Sequence, residues 1–131
     1  MARPQREGTL ASIPKRNIAI IEDDSGMLRS IACLLSTFGF DTEIFDSAEA
    51  FLAASSKASC LLVDINLDRM TGIELAIQLA ERGIRYPIIF MTGRDNDSDR
   101  RKAEDVGAVA YLTKPFPARS LIGALIKATT Q

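Results

Sequence analysis

Apolar residues in this chain come in short runs separated by longer amphipathic stretches. Ile18-Ala19-Ile20-Ile21, Leu61-Leu62-Val63, Ile88-Ile89-Phe90-Met91 and the segment from Ala108 to Leu112 are continuous runs of strand length. A continuous run implies burial on both faces, as in a parallel sheet covered by helices. Thr42-Glu43-Ile44-Phe45 alternates instead and predicts a half-exposed edge strand. Between the runs the period lengthens to that of a helix. Met27, Leu28, Ile31, Leu34, Leu35 and Phe38 form one stripe, ended by Gly39. A short helix capped by Asp46 or Ser47 is expected to turn Ala50, Phe51 and Ala54 inward. Thr71-Gly72-Ile73-Glu74 reads as a capping box, followed by a stripe of Ile73, Ala76, Ile77 and Ala80 and a stop at Gly83. Asp97 to Val106 predicts a strongly charged helix with Ala103 and Val106 as its apolar anchors. Pro117 opens the last helix, whose expected buried face is Leu121, Ile122, Leu125 and Ile126. Five successive strand-helix units predict an α/β domain with a doubly wound parallel sheet and helices on both faces. The pattern does not reveal the strand order.

A length of 131 residues suits one domain with a real core. Residues 1–16, broken by Pro4, Gly8 and Pro14, read as a flexible, mildly basic tail, and residues 17–131 as the domain. The formal net charge of -1 offers no electrostatic case for nucleic acid as a direct partner. No apolar run approaches the roughly 20 residues of a membrane span, and the N-terminal arginines precede no apolar stretch of the kind a secretory signal needs. Cys33 and Cys60 lie in apolar segments without metal-type spacing and read as buried free thiols in a reducing cytoplasm. With no histidine, the chain holds neither a Ser-His-Asp triad nor a histidine phosphocarrier.

The chemistry gathers where the runs end. Glu22, Asp23 and Asp24 follow the first run, Asp64 the third strand, Thr92 the fourth and Lys114 the fifth. Parallel strands bring all of these to one sheet edge, the place where open α/β sheets bind ligands. Crowded carboxylates call for a divalent cation, and the lysine and hydroxyl can hold an anion beside it. The set points to a Mg²⁺-dependent phosphoryl site with Asp64 as acceptor. Each residue alone has an ordinary explanation: Asp23 and Asp24 as helix caps, Asp64 as a strand-end turn, Lys114-Pro115 as a turn. Their convergence on one edge favours the site.

Four segments in order resemble the receiver domain of bacterial two-component response regulators. They are Ile20 to Asp24, Leu62 to Leu67 followed by Met70-Thr71-Gly72, Phe90 to Gly93, and Tyr111 to Phe116. The likeness runs from about Asn17 to Thr129. It implies a flavodoxin-like sheet of order 2-1-3-4-5; the handedness and order rules for that fold are general. It also implies that Asp64 accepts a phosphoryl group from a sensor histidine kinase or histidine phosphotransfer protein. Mg²⁺ is then held by Asp23 and Asp64 directly, by Glu22 through a water and by the Asn66 backbone carbonyl. Thr92 and Lys114 contact the phosphoryl oxygens, Tyr111 is the aromatic switch, and Lys114-Pro115 is a cis peptide. Such a protein assists its own phosphorylation and dephosphorylation but is not a turnover enzyme. Its signal leaves through the face shared by the fourth helix, fifth strand and last helix, to a downstream protein or a second copy, or the phosphoryl group is relayed onward. Three positions depart from the family's habit: Asp68 stands where proline is common, Arg94 is long and cationic, and the fourth helix is unusually charged.

The chain ends soon after its last helix, so the expectation is a single-domain regulator; a receiver cut from a longer DNA-binding regulator has the same sequence. A haloacid-dehalogenase-type phosphatase also uses an aspartyl phosphate, threonine and lysine, but Asn66 stands where its general acid is needed. A flavodoxin shares the sheet, but Glu22-Asp23-Asp24 would repel a flavin phosphate.

Overall fold

The computed structural model describes residues 16–130; the tail assignment for residues 1–15 lies outside the described residues. Ten elements alternate along the chain: β1 (Asn17–Ile21), α1 (Ser25–Thr37), β2 (Asp41–Phe45), α2 (Ala48–Ala53), β3 (Cys60–Asp64), α3 (Gly72–Glu81), β4 (Ile88–Thr92), α4 (Asp97–Asp105), β5 (Ala110–Thr113) and α5 (Ala118–Thr129). The strands form one sheet of order β2-β1-β3-β4-β5, every pair parallel. This is the doubly wound, flavodoxin-like arrangement expected. Arg16, grouped with the tail in the sequence reading, is tied to the domain: its carbonyl accepts the Asp41 N–H at 2.9 Å.

The pleat sorts strand residues into two cores. Ile18, Ile20, Cys60, Leu62, Ile89 and Met91 face α1 and α5. Ala19, Ile21, Leu61, Val63, Ile88 and Phe90 face α2, α3 and α4. β1, β3 and β4 are buried almost throughout, whereas the edge strand β2 leaves Ile44 51% exposed.

The local signals act as the side-chain chemistry dictates. Asp24 caps α1 by accepting the Met27 N–H at 3.0 Å, which leaves Asp23 for other work. Of the two candidates for the α2 cap, Ser47 is the one used. Thr71 and Glu74 form the reciprocal capping box of α3. Gly39 takes a φ of +86° to end α1, a conformation that costs a residue with a Cβ. Pro117 occupies the cap position just before α5 rather than its first turn.

Several stripes sit rotated from expectation. α3 buries Gly72, Ile73, Leu75, Ala76 and Leu79, while Ile77 and Ala80 are exposed. α5 buries Ala128 with Leu121, Ile122 and Leu125, and Ile126 faces outward. In α1 only Leu28, Ile31 and Leu35 are buried, and Phe38, the residue that caps its end, is 55% exposed. Ala48 and Phe51 are the buried residues of α2, with Ala54 exposed at its end. The cause is common: each helix lies on a sheet and touches it along a narrow seam, so apolar residues at the flanks of a stripe miss it. Cys33 is exposed for the same reason, correcting the expectation of a buried thiol. Cys60 is buried, and that burial pushes its thiol up to about 12.

Candidate functional site

Glu22 follows β1 directly, Asp64 and Thr92 are the last residues of β3 and β4, and Lys114 follows β5. Because β1, β3, β4 and β5 are parallel neighbours, these groups meet at the carboxyl edge of the sheet. Glu22 is 1% exposed, Asp64 5% and Thr92 0%, so the polar groups lie in the wall of the domain and need partners.

Lys114 supplies the main one. Its Nζ donates to Glu22 Oε1 at 2.7 Å and to Asp64 Oδ2 at 3.1 Å. The second oxygens are also engaged: Glu22 Oε2 accepts the Asp24 N–H at 3.2 Å, and Asp64 Oδ1 the Asn66 N–H at 2.9 Å. Burial raises the Glu22 carboxyl above its usual range, against the pull of Lys114 and with the help of Asp64. For Lys114, burial acts downward, but the two carboxylates outweigh it and the ammonium is held above its ordinary value.

Asp23 is exposed beside this pair, and oxygens of Glu22, Asp23 and Asp64 lie within 4.8 Å of one another. Asp23 Oδ2 accepts the Asp68 N–H at 3.2 Å. A proline at that position has no N–H, so this departure from the family's habit gives Asp23 a hydrogen bond. The next residue, Arg69, has a φ of +63°, an uncommon conformation for a residue with a side chain. Gly72 is required where it stands: a Cβ there would lie 2.6 Å from the Asp64 carbonyl oxygen and 2.9 Å from Val63 Cγ1.

Thr92 faces the loop after β4. Its hydroxyl donates to the Arg94 carbonyl and accepts the Arg94 N–H, both at 3.0 Å. It also accepts from Asn66 Nδ2 at 3.0 Å, so the side chain of Asn66 links β3 to β4. Tyr111 lies apart from the carboxylates, on β5 against α4. The Arg100 guanidinium sits over its ring, 4.5 Å from the centroid. Lys114-Pro115 is cis.

The structure thus brings together Glu22, Asp23, Asp64 and Lys114, and joins Asn66 to both Asp64 and Thr92. Among the described residues, neither Thr92 nor Tyr111 hydrogen-bonds to Asp64. Sequence reasoning singled out Asp68 and Arg94 as departures without foreseeing the contacts they make, and it missed Arg100. Arg94 acts through its backbone, Asp68 acts through its N–H, and Arg100 reaches Tyr111 only because α4 packs beside β5. None of these carries a side-chain signature in the sequence.

The chain belongs to the response regulator receiver domain family, whose sequence model matches residues 18–126. It is 36% identical over 110 residues to the response regulator protein TodT of Pseudomonas putida, a match covering 82% of this chain and 48% of TodT. It is 34% identical over 119 residues to the transcriptional regulatory protein FixJ of Bradyrhizobium diazoefficiens, covering 89% of this chain and 58% of FixJ. The chain therefore spans about half the length of the curated relatives it matches. Among solved structures, the crystal structure of FixJ-N superposes with a TM-score of 0.82 at 30% identity, covering 89% of this chain and 95% of that one. A receiver domain protein from Methanospirillum hungatei gives 0.79 at 28% identity, covering 87% and 93%. Receiver domains bind Mg²⁺ at an acidic pocket, and the all-oxygen cluster of Glu22, Asp23 and Asp64 suits such a hard cation. Among the described residues no helix is long and apolar enough to cross a membrane.

Proposed function

We propose that Asp64 accepts a phosphoryl group from a phosphohistidine on a partner histidine kinase or phosphotransfer protein. The observation that carries this reading is Lys114 bridging the buried carboxylates Glu22 and Asp64 at the end of β3, with Asp23 beside them. An Asp64 oxygen forms the new O–P bond as the N–P bond to imidazole breaks, and the electron pair leaves on the imidazole nitrogen. The carboxylate supplies its own electron pair, so no general base is needed. Lys114 holds Asp64 Oδ2 at rest, and its transfer to the incoming phosphoryl oxygens balances their charge. The Thr92 hydroxyl contacts the same group after turning from Arg94. Glu22, Asp23, Asp64 and the Asn66 carbonyl are the groups that would hold Mg²⁺, which supplies positive charge against the phosphoryl oxygens.

Tyr111 serves as the switch that follows Thr92, and the face of α4, β5 and α5 carries the change to a downstream protein or a second copy of the chain. Onward transfer to another histidine protein is the other outlet. The protein acts in the cytoplasm as a phosphoacceptor rather than a turnover enzyme: the haloacid-dehalogenase reading lacks its acid, and Asn66 in that place is engaged with Thr92.

Incubation with a small-molecule phosphodonor and Mg²⁺ tests this. One phosphoryl group should appear by intact mass, vanish with hydroxylamine and fail to form with chelator. Steady release of phosphate from a phosphate ester without a persistent adduct would favour the phosphatase instead.

A further inference from the structure

Tyr111 is held in a way that its own position on β5 does not explain. Its hydroxyl is buried without a hydrogen-bond partner. The Asn96 backbone and the Asp95 carboxylate lie within electrostatic range of it, but neither bonds it with good geometry. Short of a well-formed hydrogen bond, the hydroxyl is only weakly held where it is. The ring packs against the core under α4, and the Arg100 guanidinium lies over it, 4.5 Å from the centroid. Arg100 is itself fixed by a 2.8 Å ion pair to Asp95. A cavity of about 220 Å³, lined by Arg100, Ala103, Glu104, Ala108 and Tyr111 among others, leaves room beside the ring.

We propose that Arg100 is a positioning residue that latches Tyr111 in its resting place, and that Thr92 releases the latch through Asp95. This rests on the reading of Asp64 as phosphoacceptor and Thr92 and Tyr111 as its switch. The links are contiguous. Thr92 Oγ1 holds both the N–H and the carbonyl of Arg94. Arg94 is bonded to Asp95, Asp95 pairs with Arg100, and Arg100 covers Tyr111. When the Thr92 hydroxyl turns to a phosphoryl oxygen it gives up both Arg94 contacts, the segment carrying Asp95 is freed, and the guanidinium loses its anchor. The charge of α4, so unlike an ordinary amphipathic helix, then has a purpose at one residue: a flat cation where an aliphatic side chain would give the ring mere packing.

The latch opposes the phosphorylated state, so linkage requires that removing it raise affinity for a phosphoryl group. The test uses the full chain with beryllofluoride and Mg²⁺ as the phosphoryl mimic, read by titration and by the NMR ring signals of Tyr111. Arg100→Ala should tighten mimic binding about two- to fivefold, the worth of a ring-cation contact at an open site. Its Tyr111 signals in the free protein should move toward their mimic-bound positions. Asp95→Asn should shift both readouts the same way, and Arg100→Lys should restore part of the resting signal. Arg100 and Asp95 lie on the surface, so folding is not in question. Wild-type binding of the mimic with unchanged affinity and unchanged Tyr111 signals in Arg100→Ala and Asp95→Asn would overturn the latch and leave the phosphoacceptor reading standing. Failure of the wild-type protein to bind the mimic would overturn that reading, and the latch with it.

Discussion

Magnesium should stabilise this domain through three carboxylates that one lysine does not neutralise. Glu22, Asp23 and Asp64 face each other within 4.8 Å, and Lys114 reaches two of them. The cluster therefore retains two excess negative charges, the charge of one divalent cation. A cation that binds only the folded form adds about 1.4 kcal/mol for each tenfold rise in its concentration above Kd. A domain of this size shifts by about 4 °C per kcal/mol, so each decade of Mg²⁺ should raise Tm by about 6 °C. Two variants separate specific binding from general salt effects. Asp23→Asn removes an exposed carboxylate, so the metal-free Tm should rise or hold while the Mg²⁺ increment shrinks. Lys114→Ala leaves two buried carboxylates unpaired. With 20% of the lysine side chain exposed, the loss should fall at the low end for a buried pair, roughly 3 kcal/mol or about 12 °C. Its Mg²⁺ increment should then exceed that of the wild type, because the competing ammonium is gone. Differential scanning fluorimetry across a Mg²⁺ series at fixed ionic strength reads all three. A wild-type Tm indifferent to millimolar Mg²⁺, or the same increment in all three proteins, would refute the reasoning.

Three further outcomes follow from the geometry. Glu22 keeps its proton more readily in the folded state, so without metal its contribution should decline as pH rises from 4.5 through its raised folded value; that of Lys114 should persist to 10.5 and be lost only above it, and the slopes of denaturant-derived stability against pH check both signs. Gly72→Ala forces a Cβ onto the Asp64 carbonyl, so it should cost about 1–3 kcal/mol by urea melting and slow labelling by the phosphodonor. α4 buries only Ala103, so its amides should exchange among the fastest of the helices, and exchange across residues 95–112 should change with a phosphoryl mimic; equal protection in both states would leave a passive phosphoryl carrier as the better account.

The succession of strands and helices along the chain was legible because continuous apolar runs and cap residues are local signals. Asp24, Ser47 and the Thr71-Glu74 box each act within three residues of themselves. The site's membership was legible for a related reason: strand ends are fixed by the runs, and a parallel sheet gathers the ends. Strand order needed the family resemblance, since Leu62 and Ile89 look alike wherever they pair. Which flank of a stripe is buried was not legible, as Phe38, Ile77 and Ile126 show, because it depends on how each helix tilts against its neighbours. Contacts through backbone or across elements were hidden for the same cause. Nothing in the sequence marks Asp68 N–H for Asp23, or Arg100 for Tyr111.

The most direct measurement is the location of the phosphoryl group. Protein labelled by a phosphorylated histidine kinase is reduced with borohydride, which converts an aspartyl phosphate to homoserine, and the peptides are sequenced by mass spectrometry. The account predicts homoserine at position 64 alone, formed only with Mg²⁺ and absent from Asp64→Asn. Homoserine at another aspartate in the wild-type protein, or stable label retained by Asp64→Asn, would contradict it.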